Sequence, residues 1–312
     1  MWFQHYQQEP LMIYSSMIDM IGNTPYVQYK TNEIKDARIF VKLESWNPTG
    51  SIKDRAAIYN IKDAIQSGKL TPGKTILDAS SGNMACALAY FGKLLGYRVK
   101  VVCNSKLTQD KKQFIEYFGA SLSVHGDLTI EGNRLCREWA ESPEGKDEYC
   151  FLDQLHNMAN PRAAYETLGP EILRDFPQVA AVVGSMGSGG SMCGTSRYIK
   201  EKKKDTYIVT SQAAHGTKIP GTGAFVDGDY ITPFIIELRE TPLYDETISI
   251  HLAEAEKRTK ELAAQGIFVG IQGGGVLHAA IDAINRNHIK GDVVMVIGDS
   301  GWKNMDKLKA LI

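Results

Sequence analysis

The sequence predicts an α/β protein whose parallel sheets are covered by helices on both faces. Short β-branched runs occur at 39–43, 98–103, 121–124, 179–183, 207–210 and 293–297. Apolar patterns of helical period lie between them at 83–95, 110–118, 162–173, 252–264 and 276–284. This alternation is typical of parallel sheets, whose ligands bind beyond the carboxyl ends of the strands. The 312 residues are also enough for two lobes.

Lys53 lies where the first strand-like run gives way to a helical pattern. The intervening stretch is Asn47-Pro48-Thr49-Gly50-Ser51-Ile52-Lys53-Asp54-Arg55. Asn-Pro and Gly predict a turn, so we expect the lysine at a helix N-terminus. The positive end of the helix dipole favours a neutral amine, which is the nucleophile that a Schiff base with pyridoxal phosphate requires. An ordinary capped helix with one exposed lysine would have the same local pattern.

Two turns rich in glycine and serine follow other strand-like runs. Asp78-Ala79-Ser80-Ser81-Gly82-Asn83 opens an apolar helix, and its hydroxyl and N–H groups are suited to a carboxylate or a phosphate. Gly184-Ser185-Met186-Gly187-Ser188-Gly189-Gly190-Ser191 allows an anion to approach the backbone closely. It is neither a P-loop nor a good dinucleotide fingerprint, because no Gly-Lys-Ser/Thr follows and Met192 replaces the last glycine. A tight turn needed only for packing is the alternative.

A third turn, Gly298-Asp299-Ser300-Gly301, follows the last strand-like run. A serine at the carboxyl end of a strand is expected to face the same crevice as the other turns. Each turn alone is weak evidence for a binding site. The order of the turns along the chain, together with Lys53, is stronger evidence.

Composition and charge exclude several other classes of protein. With 35 Lys and Arg against 36 Asp and Glu, we expect no nucleic-acid partner and no membrane partner. Residues 1–5 lack a signal-peptide pattern, and no apolar run could cross a bilayer. The scattered cysteines contain no CxxC pair, which predicts reduced, mostly buried thiols in a cytoplasmic protein and no metal site. They are Cys86, Cys103, Cys136, Cys150 and Cys193.

These motifs together resemble the cysteine synthase and cystathionine β-synthase family of fold-type II pyridoxal-phosphate enzymes. The resemblance covers nearly the whole chain, from Ile21-Gly22-Asn23-Thr24-Pro25 through the Lys53 motif to Ser300. It implies two open, twisted, mostly parallel sheet domains with helices on both faces and an active site in the cleft between them. The smaller domain would be 35–157, with a mobile part at about 82–125. The larger, phosphate-binding domain would be 12–34 together with 158–312.

The resemblance also implies a role for each site residue. Lys53 would carry the cofactor, pyridoxal 5'-phosphate, Asn83 would hydrogen-bond its phenolic oxygen, and Ser300 would be the partner of its pyridine nitrogen. The cofactor phosphate would be bound by Gly187, Ser188, Gly189, Gly190 and Ser191. The substrate would be bound by Ser80, Ser81, Gly82, Asn83, Gln154 and Gly221, the last of these in a loop at the mouth of the site.

The chain departs from the family pattern in ways that suggest a specialised member. The departures are Met84-Ala85 in place of Thr-Gly, Gln272-Gly273-Gly274-Gly275 in place of a serine-bearing turn, Gly298 in place of a proline, and Asn304 in place of a tyrosine. Asp227 and Asp229 follow the mouth loop, either as surface carboxylates or in a catalytic role.

The expected reaction is β-replacement on a serine- or cysteine-type amino acid through an aminoacrylate, with serine, O-acetylserine, O-phosphoserine or cysteine as the donor. Lys53 would act as the base for the α-proton. A Ser300 hydroxyl would not keep a proton on the ring nitrogen as a carboxylate would. The ring would then be a weaker electron sink and a long-lived carbanion would be disfavoured, so loss of the β-substituent would be the favoured next step. The alternatives are β-elimination that releases hydrogen sulfide, a serine or threonine dehydratase, and a silent subunit that binds the cofactor or an amino acid. We expect a small amino-acid substrate and a homodimer.

Overall fold

The computed structural model describes residues 13–309. Residue 12 and residues 310–312 of the predicted larger domain lie outside this range, as does the N-terminal stretch 1–5. Strands β1 to β10 are Tyr26–Tyr29, Ala37–Leu43, Thr75–Ala79, Arg98–Cys103, Ser121–Val124, Tyr149–Phe151, Ala181–Ser185, Tyr207–Ala213, Glu246–Ile250 and Gly291–Ile297. Helices α1 to α12 are Lys53–Gln66, Asn83–Leu94, Gln109–Tyr117, Thr129–Glu141, Gly145–Glu148, Ala159–Ala163, Gly169–Asp175, Gly190–Lys202, Pro233–Glu240, Leu252–Ala264, Ile271–Asn287 and Met305–Leu308. A π-helical turn, Ala164–Leu168, joins α6 to α7.

The strands form two sheets, and the predicted α/β fold class is confirmed. One sheet has six strands in the order β1-β2-β10-β7-β8-β9, and the other has four in the order β5-β4-β3-β6. Every pair of neighbours is parallel except β1 with β2. The parallel arrangement follows from the helices that connect successive strands, because a parallel pair needs a long crossover.

Strand β2 belongs to the larger sheet, although the sequence analysis placed residues 35–157 in the smaller domain. All seven residues of β2 pair in parallel with β10, from Ala37 opposite Gly291 to Leu43 opposite Ile297. Local sequence patterns carry no information about this pairing, because the two strands lie far apart in the chain. The division into domains otherwise stays a prediction.

Strand β10 shows how the larger sheet is covered on both faces. Val293, Met295 and Ile297 contribute to one apolar core, which includes residues of α10 and α11. Val294 and Val296 contribute to a second core, which includes residues of α7, α8 and α9. Since successive side chains of a strand point to opposite faces, a continuous apolar run is what a sheet buried on both sides requires.

Helix α1 is fixed by a cluster of buried charges beside its first turn. Arg55 is only 2% exposed and bonds to Glu44 at 2.7 Å and to Glu171 at 2.6 Å. Lys42 lies 2.9 Å from the other oxygen of Glu171. Burial alone would raise the pKa of Glu171, but the Arg55 hydrogen bond and charge outweigh it and hold the pKa at about 2. The cluster therefore ties α1 to β2 and α7 by charge-assisted bonds.

No helix among residues 13–309 is long and apolar enough to cross a membrane. All five cysteines are free and buried, as predicted. Within the same range, no group of three or more His, Cys, Asp or Glu residues could hold a metal ion.

We predict that Arg55→Ala lowers the free energy of unfolding by roughly 3–5 kcal/mol, because it leaves two buried carboxylates with Lys42 as their remaining cation in the cluster. The matched control is Arg38→Ala, which removes an ion pair to Asp292 from an arginine that is 63% exposed and should cost about 0–1 kcal/mol. Urea unfolding followed by circular dichroism measures both changes. Equal losses in the two variants would contradict the importance of the buried cluster.

Candidate active site

The predicted site segments follow the carboxyl ends of strands in both sheets, β2, β7 and β10 in the larger sheet and β3 in the smaller one. Ser80–Asn83 follows β3, Gly187–Ser191 follows β7, and Asp299 and Ser300 follow β10. Lys53 begins α1, a few residues after β2. The backbone links two of these segments directly, since Ile52 donates its N–H to the carbonyl of Gly298 at 2.9 Å. A crevice at this edge is where open α/β sheets bind their ligands.

Lys53 is the first residue of α1, as the sequence predicts. Its Nζ lies 3.3 Å from the hydroxyl oxygen of Ser188 in the glycine-rich turn. Burial lowers the pKa of the Lys53 amine to about 8, and the charge of Asp78 opposes that shift. Around neutral pH the unprotonated, nucleophilic fraction of this amine is therefore far larger than that of a lysine in water, although the protonated form still predominates.

The glycine-rich turn has the backbone shape of an anion cradle. Gly189 has a φ of +85°, in the left-handed region, and helix α8 begins at the next residue. A Cβ on Gly187 would lie 2.7 Å from the carbonyl oxygen of Gly221. Thr232 supports the turn by donating its hydroxyl to the Ser188 carbonyl at 2.6 Å. The first N–H groups of α8 have no intrahelical partners, so they are available to a phosphate.

The turn after β3 holds its hydroxyl groups ready to donate. Ser80 Oγ accepts the Gly82 N–H at 3.2 Å, and Ser81 Oγ accepts the Asn104 N–H at 2.6 Å. Each hydroxyl hydrogen is then free for an anion, since a hydroxyl both accepts and donates. Gln154 is buried beside this turn and donates Nε2 to the Ala79 carbonyl at 2.6 Å. The arrangement suits a substrate carboxylate.

Asp78 is a buried carboxyl group whose importance the sequence analysis missed. Its Oδ1 accepts the Ala79 N–H at 2.8 Å, while its buried Oδ2 has no hydrogen-bond partner within the range that the structure describes. Burial raises the pKa of Asp78 to about 8, against the opposing charge of Lys53 among other groups. An acidic residue at the end of a fully buried strand was the signal that could have identified it.

Ser300 does not join the other predicted residues. Its hydroxyl oxygen accepts the Trp302 N–H at 3.2 Å and so caps the short 3-10 turn that follows. The residue lines a separate recess with Tyr26 and Phe268. This geometry does not support the predicted contact of Ser300 with the ring nitrogen. The neighbouring Asp299 instead accepts a 2.8 Å hydrogen bond from Nδ2 of Asn83.

Two of the departures from the family pattern depend on each other. Gln272 donates Nε2 to Ser185 and to the Gly221 carbonyl. A Cβ on Gly298 would lie 2.4 Å from Oε1 of Gln272, so the long glutamine side chain needs the glycine. Met84 is only 1% exposed and packs in the core beside the smaller sheet.

The carboxylates of Asp227 and Asp229 brace the loop at the mouth of the site. Asp227 accepts the Gly216 N–H at 2.9 Å and pairs with the ring of His215. Asp229 accepts the Ala224 N–H at 2.8 Å. These contacts agree with the interpretation of both residues as loop carboxylates.

Comparison with known proteins identifies the family. The family model described as pyridoxal-phosphate dependent enzyme matches residues 17–299. Cysteine synthase B of Escherichia coli (strain K12) is 36% identical over 292 residues, which cover 92% of this chain and 93% of the relative. This chain therefore belongs to the pyridoxal-phosphate-dependent enzymes, in the cysteine synthase and cystathionine β-synthase family of fold type II.

Solved structures with related folds include enzymes of differing activity. The crystal structure of O-ureido-L-serine synthase matches with a TM-score of 0.86 at 25% identity and covers 95% of each chain. That of a hydrogen sulfide-producing enzyme from Fusobacterium nucleatum matches with a TM-score of 0.83 at 29% identity, covering 93% of this chain and 99% of the other. The expected cofactor, pyridoxal 5'-phosphate, agrees with the family.

The residues present in the cleft fit this cofactor. A buried amine of lowered pKa lies beside a glycine turn that can hold a phosphate. Two buried oxygens nearby, Oδ1 of Asn83 and Oδ1 of Asp299, have no hydrogen-bond partner among residues 13–309. Buried polar atoms are rarely left unpaired, so these two favour a polar ligand between the turns.

We predict that the apoprotein captures pyridoxal phosphate covalently at a rate that rises with pH through a midpoint near 8, because the neutral form of Lys53 is the nucleophile. Asp78→Asn removes a charge that raises the Lys53 pKa, so the midpoint should move to lower pH. Stopped-flow absorbance measures the rate.

The matched control for that measurement is Asp36→Asn, at an exposed position, which should leave the midpoint unchanged. A midpoint at about 10.4, the value of an unperturbed lysine, would contradict the burial of the amine. An unchanged midpoint in Asp78→Asn would contradict the coupling of the two groups.

Proposed function

We propose that this protein catalyses β-replacement on a serine- or cysteine-type amino acid: serine, O-acetylserine, O-phosphoserine or cysteine. The observation that carries the proposal is the position of Lys53, with its amine 3.3 Å from Ser188 in the glycine turn and its pKa lowered to about 8. A reactive amine beside an anion cradle is what a covalently held phosphate cofactor needs. The names of the relatives, which act in cysteine and serine chemistry, support the class of substrate.

The binding roles follow from the donors in the cleft. The N–H groups from Gly187 to Ser191 at the start of α8 hold the cofactor phosphate. Ser80, Ser81 and the Nε2 of Gln154 donate to the substrate α-carboxylate, with Gly82, Asn83 and Gly221 forming the adjoining walls. Asn83 donates one N–H of its amide to the phenolic oxygen, because the other is used by Asp299. Bound pyridoxal phosphate supplies the electron sink that acidifies the α-proton.

Lys53 is the group that moves the α-proton. Its amine, held at the start of α1, would accept the proton from the α-carbon of a bound substrate. Its lowered pKa keeps a useful fraction neutral near pH 7. The substrate carboxylate, fixed by the turn after β3, orients the α-carbon toward this base.

β-Elimination is the second candidate, because a hydrogen sulfide-producing enzyme shares the fold with a TM-score of 0.83. Elimination and replacement share the α-proton transfer to Lys53 and the loss of the β-substituent. In elimination the resulting enamine is released and hydrolysed to pyruvate and ammonia, whereas in replacement a second substrate adds at the β-carbon. A silent binding subunit is disfavoured by the reactive position of Lys53. The homodimer and the cytoplasmic location stay predictions.

We predict that the holoenzyme changes its visible absorbance when at least one of the four candidate donors is added. Product analysis by mass spectrometry with sulfide or an amine present should detect a β-substituted amino acid. Lys53→Ala should abolish the product because it removes both the covalent attachment and the base.

Lys62→Ala, an exposed lysine on the same helix, is the matched control and should retain activity. Pyruvate and ammonia as the products with every acceptor would select elimination. No spectral change with any donor would leave the binding subunit as the function and contradict the proposal.

A further inference from the structure

Asp299 and Ser300 point to opposite sides of the segment that follows β10. Asp299 is bridged to Ser51 and Ser300 to Val269, each in an isolated antiparallel bridge. Because consecutive side chains of extended backbone alternate, only one of the two can face the cleft. Ser300 caps the following turn through its bond with the Trp302 N–H, so the side chain toward Asn83 is that of Asp299.

The carboxylate of Asp299 is held in place but is only half satisfied. One oxygen, Oδ2, accepts from Nδ2 of Asn83 at 2.8 Å and from Nδ2 of Asn304 at 3.1 Å. The other oxygen, Oδ1, is buried and has no hydrogen-bond partner in the described part of the chain, and the whole residue is 8% exposed. A buried carboxylate oxygen without a donor is costly, so the site lacks one N–H or O–H group at this point.

The surrounding residues maintain space for this carboxylate. A Cβ on Gly270 would lie 2.5 Å from Oδ1 of Asp299 and 2.6 Å from Nδ2 of Asn304, so a larger residue would collide with both. Asn304, which stands where the family usually has a tyrosine, therefore serves as a hydrogen-bond donor to Asp299.

We propose that Asp299 is the partner of the pyridine nitrogen of the cofactor and keeps a proton on it. The inference rests on the proposed function in one respect, the assignment of Asn83 to the phenolic oxygen. On the pyridine ring a single carbon separates the phenol-bearing carbon from the nitrogen, so a group bonded to Asn83 is a neighbour of that nitrogen. The missing donor at Oδ1 is then the N–H of the protonated ring.

A carboxylate and a hydroxyl act differently at this nitrogen. An ionised carboxylate only accepts hydrogen bonds, so the nitrogen must carry the proton between them. A serine hydroxyl can donate instead and leave the nitrogen unprotonated. The positively charged ring withdraws electrons more strongly, which makes the α-proton of a bound substrate more acidic. This is the reverse of the weak electron sink expected from Ser300.

The test is the nitrogen NMR spectrum of the holoenzyme reconstituted with pyridoxal phosphate labelled with ¹⁵N in the ring. Protonated and unprotonated pyridine nitrogens have well separated chemical shifts. We expect the ring nitrogen of the wild-type protein to have the chemical shift of a protonated pyridine. In Asp299→Asn we expect the shift of an unprotonated pyridine, because an amide can donate a hydrogen bond to the nitrogen. Ser300→Ala is the matched control and should give the wild-type shift.

Three outcomes would overturn the inference: an unprotonated nitrogen in the wild type, an Asp299→Asn variant that keeps the proton, or a shift that changes in Ser300→Ala alone. The second outcome would mean that Asp299 only positions Asn83. The wild-type spectrum decides the main point even if the variant does not fold. No substrate is present, so this result is independent of whether the donor experiments detect β-replacement.

Discussion

The position of the reactive lysine depends on the buried ion cluster two residues further along the same helix. Arg55 lies between Glu44 and Glu171, and Lys42 completes the set from β2. Desolvating four charges is expensive, and the bonds repay the cost only when every partner is in place. All of these bonds form in only one placement of the first turn of α1, and that placement fixes the position of Lys53 at the start of the helix. The cleft then forms between that helix start and the turns that follow β3, β7 and β10.

Burial also sets the protonation states of the groups inside the cleft. The amine of Lys53 and the carboxyl of Asp78 each have a pKa of about 8, the first lowered and the second raised by burial. Both shifts favour the neutral form, since a low-dielectric site disfavours either charge. The pair can thus exchange between neutral and charged states close to physiological pH, where a lysine in water would stay protonated.

The sequence predicted the elements whose patterns are local. Helix α10 has the predicted bounds, 252–264, and strands β4 and β5 match the predicted runs 98–103 and 121–124. The short strands β1, β6 and β9 were missed, because a run of three to five residues has little periodicity to detect, although β5, which is as short, was predicted. The placement of β2 in the larger sheet was also beyond local patterns, since it depends on pairing with β10 near the other end of the chain.

The candidate site also combines features that local motifs predict with features that depend on contacts between distant segments. Lys53 and the glycine turn were predicted from motifs at strand-to-helix junctions, which the chain itself specifies, and the roles of Asn83 and Gln154 were predicted from the resemblance to the family. Local motifs did not predict which side chain after β10 faces the cleft, because this depends on the bridges of Asp299 and Ser300 to distant residues. The fit of Gln272 above Gly298 has no local sequence signal, since it arises from packing between elements.

The central claim is that Lys53 is the residue that holds the cofactor, at the junction of α1 with the glycine turn. Borohydride reduction of the holoenzyme, followed by proteolysis and mass spectrometry, tests it most directly. The account predicts one phosphopyridoxyl-labelled peptide, and its modified residue is Lys53. Label on another lysine, or a cofactor that binds without any reducible link, would contradict it.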